Sequence, residues 1–264
     1  MRAMKWVLLL GLSGLVACAP VASDDSAGGS GARAAAGEQA AGDSAALAAA
    51  QKQFPSWFAN VEPYRVIGDA DQGVYFVGTE GLGMYFIPTS SGHIVIDGGM
   101  PGQGQQVWDN IRQLGFDPAD VKILLNSHAH LDHSGGLAEL KQLTGAKLLA
   151  SEGDRSALEG GFYLGSEDDA SMGAPPVKVD EIITDGEVVK LGDVALTAHL
   201  TPGHTRGCTS WSFPVRDGDR ELLAVSICSL TLFPFVSLVE SEAYPGIRSD
   251  FERSFATLRG LPAD

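Results

Sequence analysis

The apolar run Val121-Lys122-Ile123-Leu124-Leu125 leads directly into Ser127-His128-Ala129-His130-Leu131-Asp132-His133. Four metal-ligating side chains crowded behind a strand-like segment constrain the fold more than any other feature. A lone buried histidine needs one hydrogen-bond partner, whereas this cluster needs several, and a metal ion supplies them. A strand that ends at Asn126 releases the chain into a loop in which residues two apart point the same way. His128 and His130 are therefore expected to converge on one ion. Asp132 and His133 fall where a following helix would begin, suited to facing a second ion. Imidazole with carboxylate favours zinc, and manganese and iron sites use the same ligand types. The competing reading has the histidines capping a turn and bonding backbone carbonyls.

A second loop supplies a further ligand. Thr201-Pro202-Gly203-His204-Thr205 follows the strand-like stretch Val194–Leu200, so His204 also sits at a strand end. With His128 and His130 it gives three nitrogen ligands and leaves a fourth position for water, the pattern of a catalytic zinc. His204 taken alone reads as a turn residue. His199 and His93 lie in strand patterns without companion ligands and read as packing or surface histidines.

Hydrophobic periodicity places strands near residues 73–77, 84–87, 93–96, 121–125, 147–150, 187–191, 194–200, 209–214 and 222–227. Helices fit 104–114, 134–143 and 250–259, the first stopped by Gly115. Many short strands with a few interleaved helices indicate sheets covered by helices. No internal repeat of solenoid period is visible.

His128, His130, Asp132 and His133 match the His-x-His-x-Asp-His signature of the metallo-β-lactamase superfamily, and Gly203-His204 matches its Gly-His element. The chain resembles this family from about Tyr64 onward. Ile94-Val95-Ile96-Asp97-Gly98-Gly99 is similar to the strand whose aspartate supports the metal loop. The stretches Pro175–Asp180 and Gly203–Trp211 resemble subclass B3 of the β-lactamases, and Phe251–Arg259 resembles that subclass's late helix more weakly. The resemblance implies an α/β (α+β) fold, a four-layer αββα sandwich with the metals at one edge of the paired sheets. It also implies two zinc ions: His128, His130 and His204 for the first, Asp132 and His133 for the second. The function it implies is hydrolysis of a β-lactam amide by zinc-activated hydroxide, with Asp132 orienting the nucleophile and Asp97 supporting the ligands from behind.

Thiolester hydrolases and many other superfamily members carry a metal-bridging aspartate at a strand end where this chain reads Ser226-Ile227-Cys228-Ser229-Leu230-Thr231-Leu232-Phe233. The missing carboxylate favours the lactamase branch, in which Ser229 and Thr231 would bond a substrate carboxylate; otherwise they are ordinary strand-end hydroxyls. Subclass B3 enzymes continue past the late helix into another strand, bearing a final histidine ligand, and another helix. All six histidines here precede Asp264 and none can be that ligand, so the expectation is a truncated domain whose second zinc lacks its third ligand. Hydrolysis of a thiolester or lactone on the same fold, and a non-catalytic truncated lipoprotein, are the alternatives.

The amino terminus speaks to location. Residues 1–5 are basic, Trp6 to Val16 is apolar but short for a bilayer span, and Leu15-Val16-Ala17-Cys18 has the form of a bacterial lipobox. The expectation is a signal peptide over 1–18, lipidation of Cys18, and anchoring on the periplasmic side of a Gram-negative membrane, with outer-membrane sorting suggested by Ala19. A simple secretory signal ending at Ala17 or Ala19, giving a soluble periplasmic protein, is the alternative. Residues 19–50 are rich in Ala, Gly, Ser and acidic groups and read as a flexible tether, with helix over Ser44–Gln53, while 51–264 suits one domain. Thirty-three acidic against 18 basic residues give a net charge of −15, which disfavours nucleic acid as a partner and leaves a small-molecule substrate. With Cys18 lipidated, Cys208 and Cys228 are an even pair in an oxidising compartment, which allows a disulfide. A competing idea makes Cys228 a ligand of the second zinc.

Overall fold

The computed structural model describes residues 46–232 and 236–262; the expected signal peptide, Cys18 and nearly all of the expected tether lie outside these residues. A helical stretch, α1 (46–53), opens the described chain, and its Leu47 and Ala50 pack against the core. The packed domain thus begins a few residues before 51.

Seven strands follow in sheet order: β1 (Tyr64–Ile67), β2 (Val74–Phe76), β3 (Tyr85–Thr89), β4 (Gly92–Ile96), β5 (Val121–Leu125), β6 (Lys147–Ser151) and β7 (Glu181–Ile183). The first four pair antiparallel, and β4 to β7 pair parallel. A second, antiparallel sheet has the order β11-β10-β9-β8, built from β8 (Val188–Leu191), β9 (Val194–Leu200), β10 (Thr209–Asp217) and β11 (Arg220–Ser226). The helices after α1 are α2 (Gly104–Gln113), α3 (Leu131–Ser134), α4 (Leu137–Thr144), α5 (Glu152–Gly160) and α6 (Ile247–Gly260).

Alternation along the strands explains the layering. Successive side chains on a strand point to opposite faces. Val95, Leu124, Leu148 and Ala150 face helices, meeting Val107 and Ile111 of α2, Leu137 and Leu140 of α4 and Leu158 of α5. Their neighbours Ile94, Ile96, Leu125 and Leu149 face the other way, onto Leu196, Ala198, Trp211, Phe213 and Val215 of the second sheet. Strands β4, β5 and β6 are thus buried on both faces in their later residues, which is why Ile94–Ile96, Ile123–Leu125 and Leu148–Ala150 read as continuous apolar triplets. The expected mixed fold, two stacked sheets with helices packed on them, is what the chain builds.

Three local expectations need correction. The helix expected over 134–143 is two pieces, α3 and α4, because Gly135 and Gly136 interrupt it. Helix α5 and strands β1 and β7 were not anticipated: β1 and β7 are only 4 and 3 residues long, and α5 carries only three buried residues, Asp154, Ala157 and Leu158. A thiolate at Cys228 is also ruled out, since Cys208 and Cys228 form a disulfide.

Candidate metal centre

The carboxyl ends of β4, β5, β6 and β9 deliver the site, as is usual for crevices in sheets with parallel strands. Chain polarity does this: β4 releases Asp97, β5 releases the loop with His128 and His130, and β9 releases the loop with His204. Ligand atoms of His128, His130 and His204 all lie within 4.8 Å of one another, and those of His128, Asp132 and His133 do likewise. The structure therefore brings together all five expected ligands, with His128 common to both groups. His199 instead bonds Ser212 Oγ at 2.7 Å, and His93 packs edge-on to Phe86 and Phe116, as expected for residues outside the site.

Behind the ligands stands Asp97, only 4% exposed and held at φ 66°, a left-handed conformation uncommon for a residue with a side chain. Four donors reach its carboxylate: Asn126 Nδ2 at 3.1 Å, Ser127 N at 2.7 Å, Ser127 Oγ at 2.6 Å and His133 Nδ1 at 2.8 Å. Surroundings this dense over-determine the backbone and sustain its conformation. Because a carboxylate only accepts, His133 must carry its proton on Nδ1, leaving the Nε2 lone pair for a metal. The same logic fixes His204, whose Nδ1 donates to Thr231 O at 2.8 Å. His128 Nδ1 lies 3.0 Å from Ser127 Oγ; that hydroxyl donates to Asp97, so it accepts from His128. Hydrogen bonding thus leaves the Nε2 lone pairs of His133, His204 and His128 to face a metal, two of them in the group with His130 and two in the group with Asp132.

Electrostatics agree. Burial, with the neighbouring imidazoles His133, His130 and His204, pushes His128 well below its ordinary pKa; burial and His204 push His130 down to about 2. Burial also lowers His204, against the opposing pull of Thr231 O. For His133 burial would do the same, but Asp97 and then Asp132 outweigh it and raise the pKa. The three-histidine group is therefore neutral and ligand-ready, while His133 is poised by two carboxylates.

A cleft of about 350 Å³ opens beside His130 and His204, walled by Tyr163, Arg206, Thr231 and Tyr244 among others. Tyr163 stacks on the His130 ring at 4.7 Å. Arg206 lies over the Tyr244 ring at 5.2 Å and donates to Ala243 O, and Tyr244 Oη donates to Asp250 at 2.6 Å. Ser229 and Thr231 hydroxyls are 3.0 Å apart, with Thr231 Oγ1 3.3 Å from His204 Nδ1. Asp154, Tyr163, Arg206 and Tyr244 were not singled out from sequence. One signal was present: Ser151-Glu152-Gly153-Asp154 has the Ser-x-x-Asp form of a helix start, which would have located α5.

A donor set of this kind at the strand ends of a layered α/β sandwich defines a metal-binding hydrolase domain. Residues 84–218 match the metallo-β-lactamase superfamily, and the chain belongs to that superfamily. Among solved structures it is similar to BJP-1, a subclass B3 metallo-β-lactamase of Bradyrhizobium japonicum, at 44% identity and a TM-score of 0.74 over 79% of this chain and 77% of that one. It is 31% identical to a hydroxyacylglutathione hydrolase of Methylococcus capsulatus over 53% of this chain, a match that spans only 44% of that enzyme. It is 28% identical to the N-acyl homoserine lactonase AttM of Agrobacterium fabrum, over 66% of this chain and 74% of the lactonase.

Proposed function

We propose that the chain is a zinc-dependent β-lactam hydrolase of the subclass B3 kind. The observation that carries this reading is the partner of His204: Thr231, a hydroxyl residue, stands beside it, and no residue of 226–232 joins either ligand group among the described residues. A metal-bridging carboxylate is the feature expected of the thiolester branch. The likeness to BJP-1 over 79% of the chain supports the same reading.

His128, His130 and His204 would hold the first zinc, and Asp132 with His133 the second. When bound, zinc lowers the pKa of a coordinated water to about 7 and polarises a carbonyl. The chain's own groups do the remainder. Asp132 offers a carboxylate acceptor that orients the attacking water's proton. Asp97 keeps His133 in the Nδ1–H form, and Thr231 O does the same for His204. Ser229 and Thr231 hydroxyls donate to the substrate's carboxylate, and the cleft beside His130 receives its side groups. Cys18 carries the lipid that would hold the domain at the periplasmic membrane surface.

The relatives that are thiolester hydrolases and lactonases motivate a second reading, in which the same ligands act on a thiolester or lactone. Zinc-loaded protein assayed on nitrocefin, a carbapenem, a glutathione thiolester and an acyl homoserine lactone separates the two. Chelator-sensitive turnover of the β-lactams is expected. Turnover confined to the thiolester or lactone overturns the first reading, and none on any substrate with excess zinc overturns both.

A further inference from the structure

The three histidines of the first group come from two loops 76 positions apart, at 128–130 and 204. Something must set one loop against the other to within a fraction of an ångström for their nitrogens to meet. A backbone bond from Thr209 N to Ser127 O is one tie, at 2.8 Å. A second comes from a residue in neither loop. Asp154, on the first turn of α5, is 1% exposed, and its carboxylate is shared between the two. One oxygen accepts from Ala129 N, the residue between His128 and His130, and from Thr205 Oγ1, the residue after His204, both at 2.9 Å. The other oxygen accepts from Gly207 N at 2.9 Å.

From these contacts we infer that Asp154 is a positioning residue for the metal centre: one buried carboxylate clamps the two ligand loops at points adjacent to all three histidines. The inference rests on the metal-site reading of His128, His130 and His204. Local construction shows the space is committed to this. Ser151, at the N-cap position of α5, makes no cap bond and instead donates to Gly207 O at 2.6 Å, so both residues of the helix start are turned onto the His204 loop. A Cβ on Gly207 would come within 2.5 Å of the Asp154 carboxyl carbon, so only glycine lets the loop reach the clamp.

A carboxylate suits three donors because it has no proton to offend any of them. Asn at 154 turns one oxygen into an NH₂ group that must face Gly207 N–H or the Ala129 and Thr205 donors. Thr205→Val removes a single bond with little change of shape and leaves the carboxylate in place.

The test measures zinc affinity by competition with a chromophoric chelator, alongside the melting temperature of metal-free protein and the visible absorption of the cobalt-substituted form. Asp154→Asn is expected to weaken the first zinc by about 10-fold or more, in the range found for partners that orient ligands, and to alter the cobalt bands. Thr205→Val is expected to weaken it by a smaller factor in the same direction. A merely structural carboxylate would lower the melting temperature and leave the affinity and cobalt bands of the folded protein at wild-type values, and that result overturns the inference. If Asp154→Asn does not fold, Thr205→Val decides: unchanged zinc affinity refutes the clamp. Failure of the wild-type protein to bind zinc would instead refute the metal-site reading beneath it.

Discussion

Asp97 gives the sharpest test of how the site is held. Replacing it with Ala would leave four donors, Asn126 Nδ2, Ser127 N, Ser127 Oγ and His133 Nδ1, without their acceptor. At roughly 1–3 kcal/mol for each buried unmet donor, the loss rivals a whole domain's stability of about 5–15 kcal/mol, so Asp97→Ala should not fold cleanly. Asp97→Asn is the informative change. Its remaining oxygen can stay with Asn126 Nδ2 and Ser127 N, and the Ser127 hydroxyl can rotate to accept from the new NH₂ group. The Ser127 hydroxyl then gives up its donation to residue 97 while its oxygen can still accept from His128 Nδ1, and His133 Nδ1–H is left facing a donor. The cost should be at least that of one hydrogen bond to a charged group, about 1.5–3 kcal/mol, measured by urea unfolding of metal-free protein. His133 can relieve the clash by moving its proton to Nε2, the nitrogen the metal needs, so zinc at the Asp132–His133 group should weaken while the three-histidine group still binds. Calorimetric titration of wild type and variant reads both sites. An Asp97→Asn protein with wild-type stability, or with unaltered binding at the Asp132–His133 group, would refute the claim that Asp97 fixes the His133 tautomer.

Three further outcomes are expected. Cys208→Ala with Cys228→Ala opens a bridge of sequence separation 20 and should cost about 3 kcal/mol in urea unfolding, with no sensitivity to reductant left. Gly203→Ala should lower both melting temperature and zinc affinity, because the residue before His204 has φ 139° and a Cβ there would sit 2.7 Å from the Phe251 ring; an unperturbed variant would show that the loop has room to yield. Cys18→Ser should move the protein from the membrane fraction to the soluble periplasmic fraction with the domain still folded. Wild-type protein that needs no detergent would favour ordinary signal cleavage.

The parts legible in sequence share a physical cause. Strands β4, β5 and β9 are buried on both faces or strictly alternating, so composition marks them, and the ligands follow directly at their ends in one cluster and one Gly-His pair. Helix α5 stayed hidden because its contribution is polar: Asp154 is buried for its hydrogen bonds, which no hydrophobic period records. The pairing of Cys208 with Cys228 was one of two open uses for those thiols until β10 and β11 placed them side by side. Arg206 and Tyr244 could not be joined from sequence because they lie 38 positions apart along the chain.

The ligands and the cleft wall draw on different stretches of chain. Residues 128–133 and 204 rest on strand ends and are pinned by buried carboxylates, whereas much of the wall comes from 163–166, 231–232 and 236–247, segments outside the sheets, the later ones mostly exposed. Substitutions of wall side chains away from Thr231, whose carbonyl holds His204 Nδ1, therefore leave the hydrogen bonds orienting the imidazoles untouched. Such a division lets the acceptable leaving groups and side chains drift quickly under selection while the hydrolytic apparatus stays fixed, and Thr231 and Arg206 mark where the two territories meet.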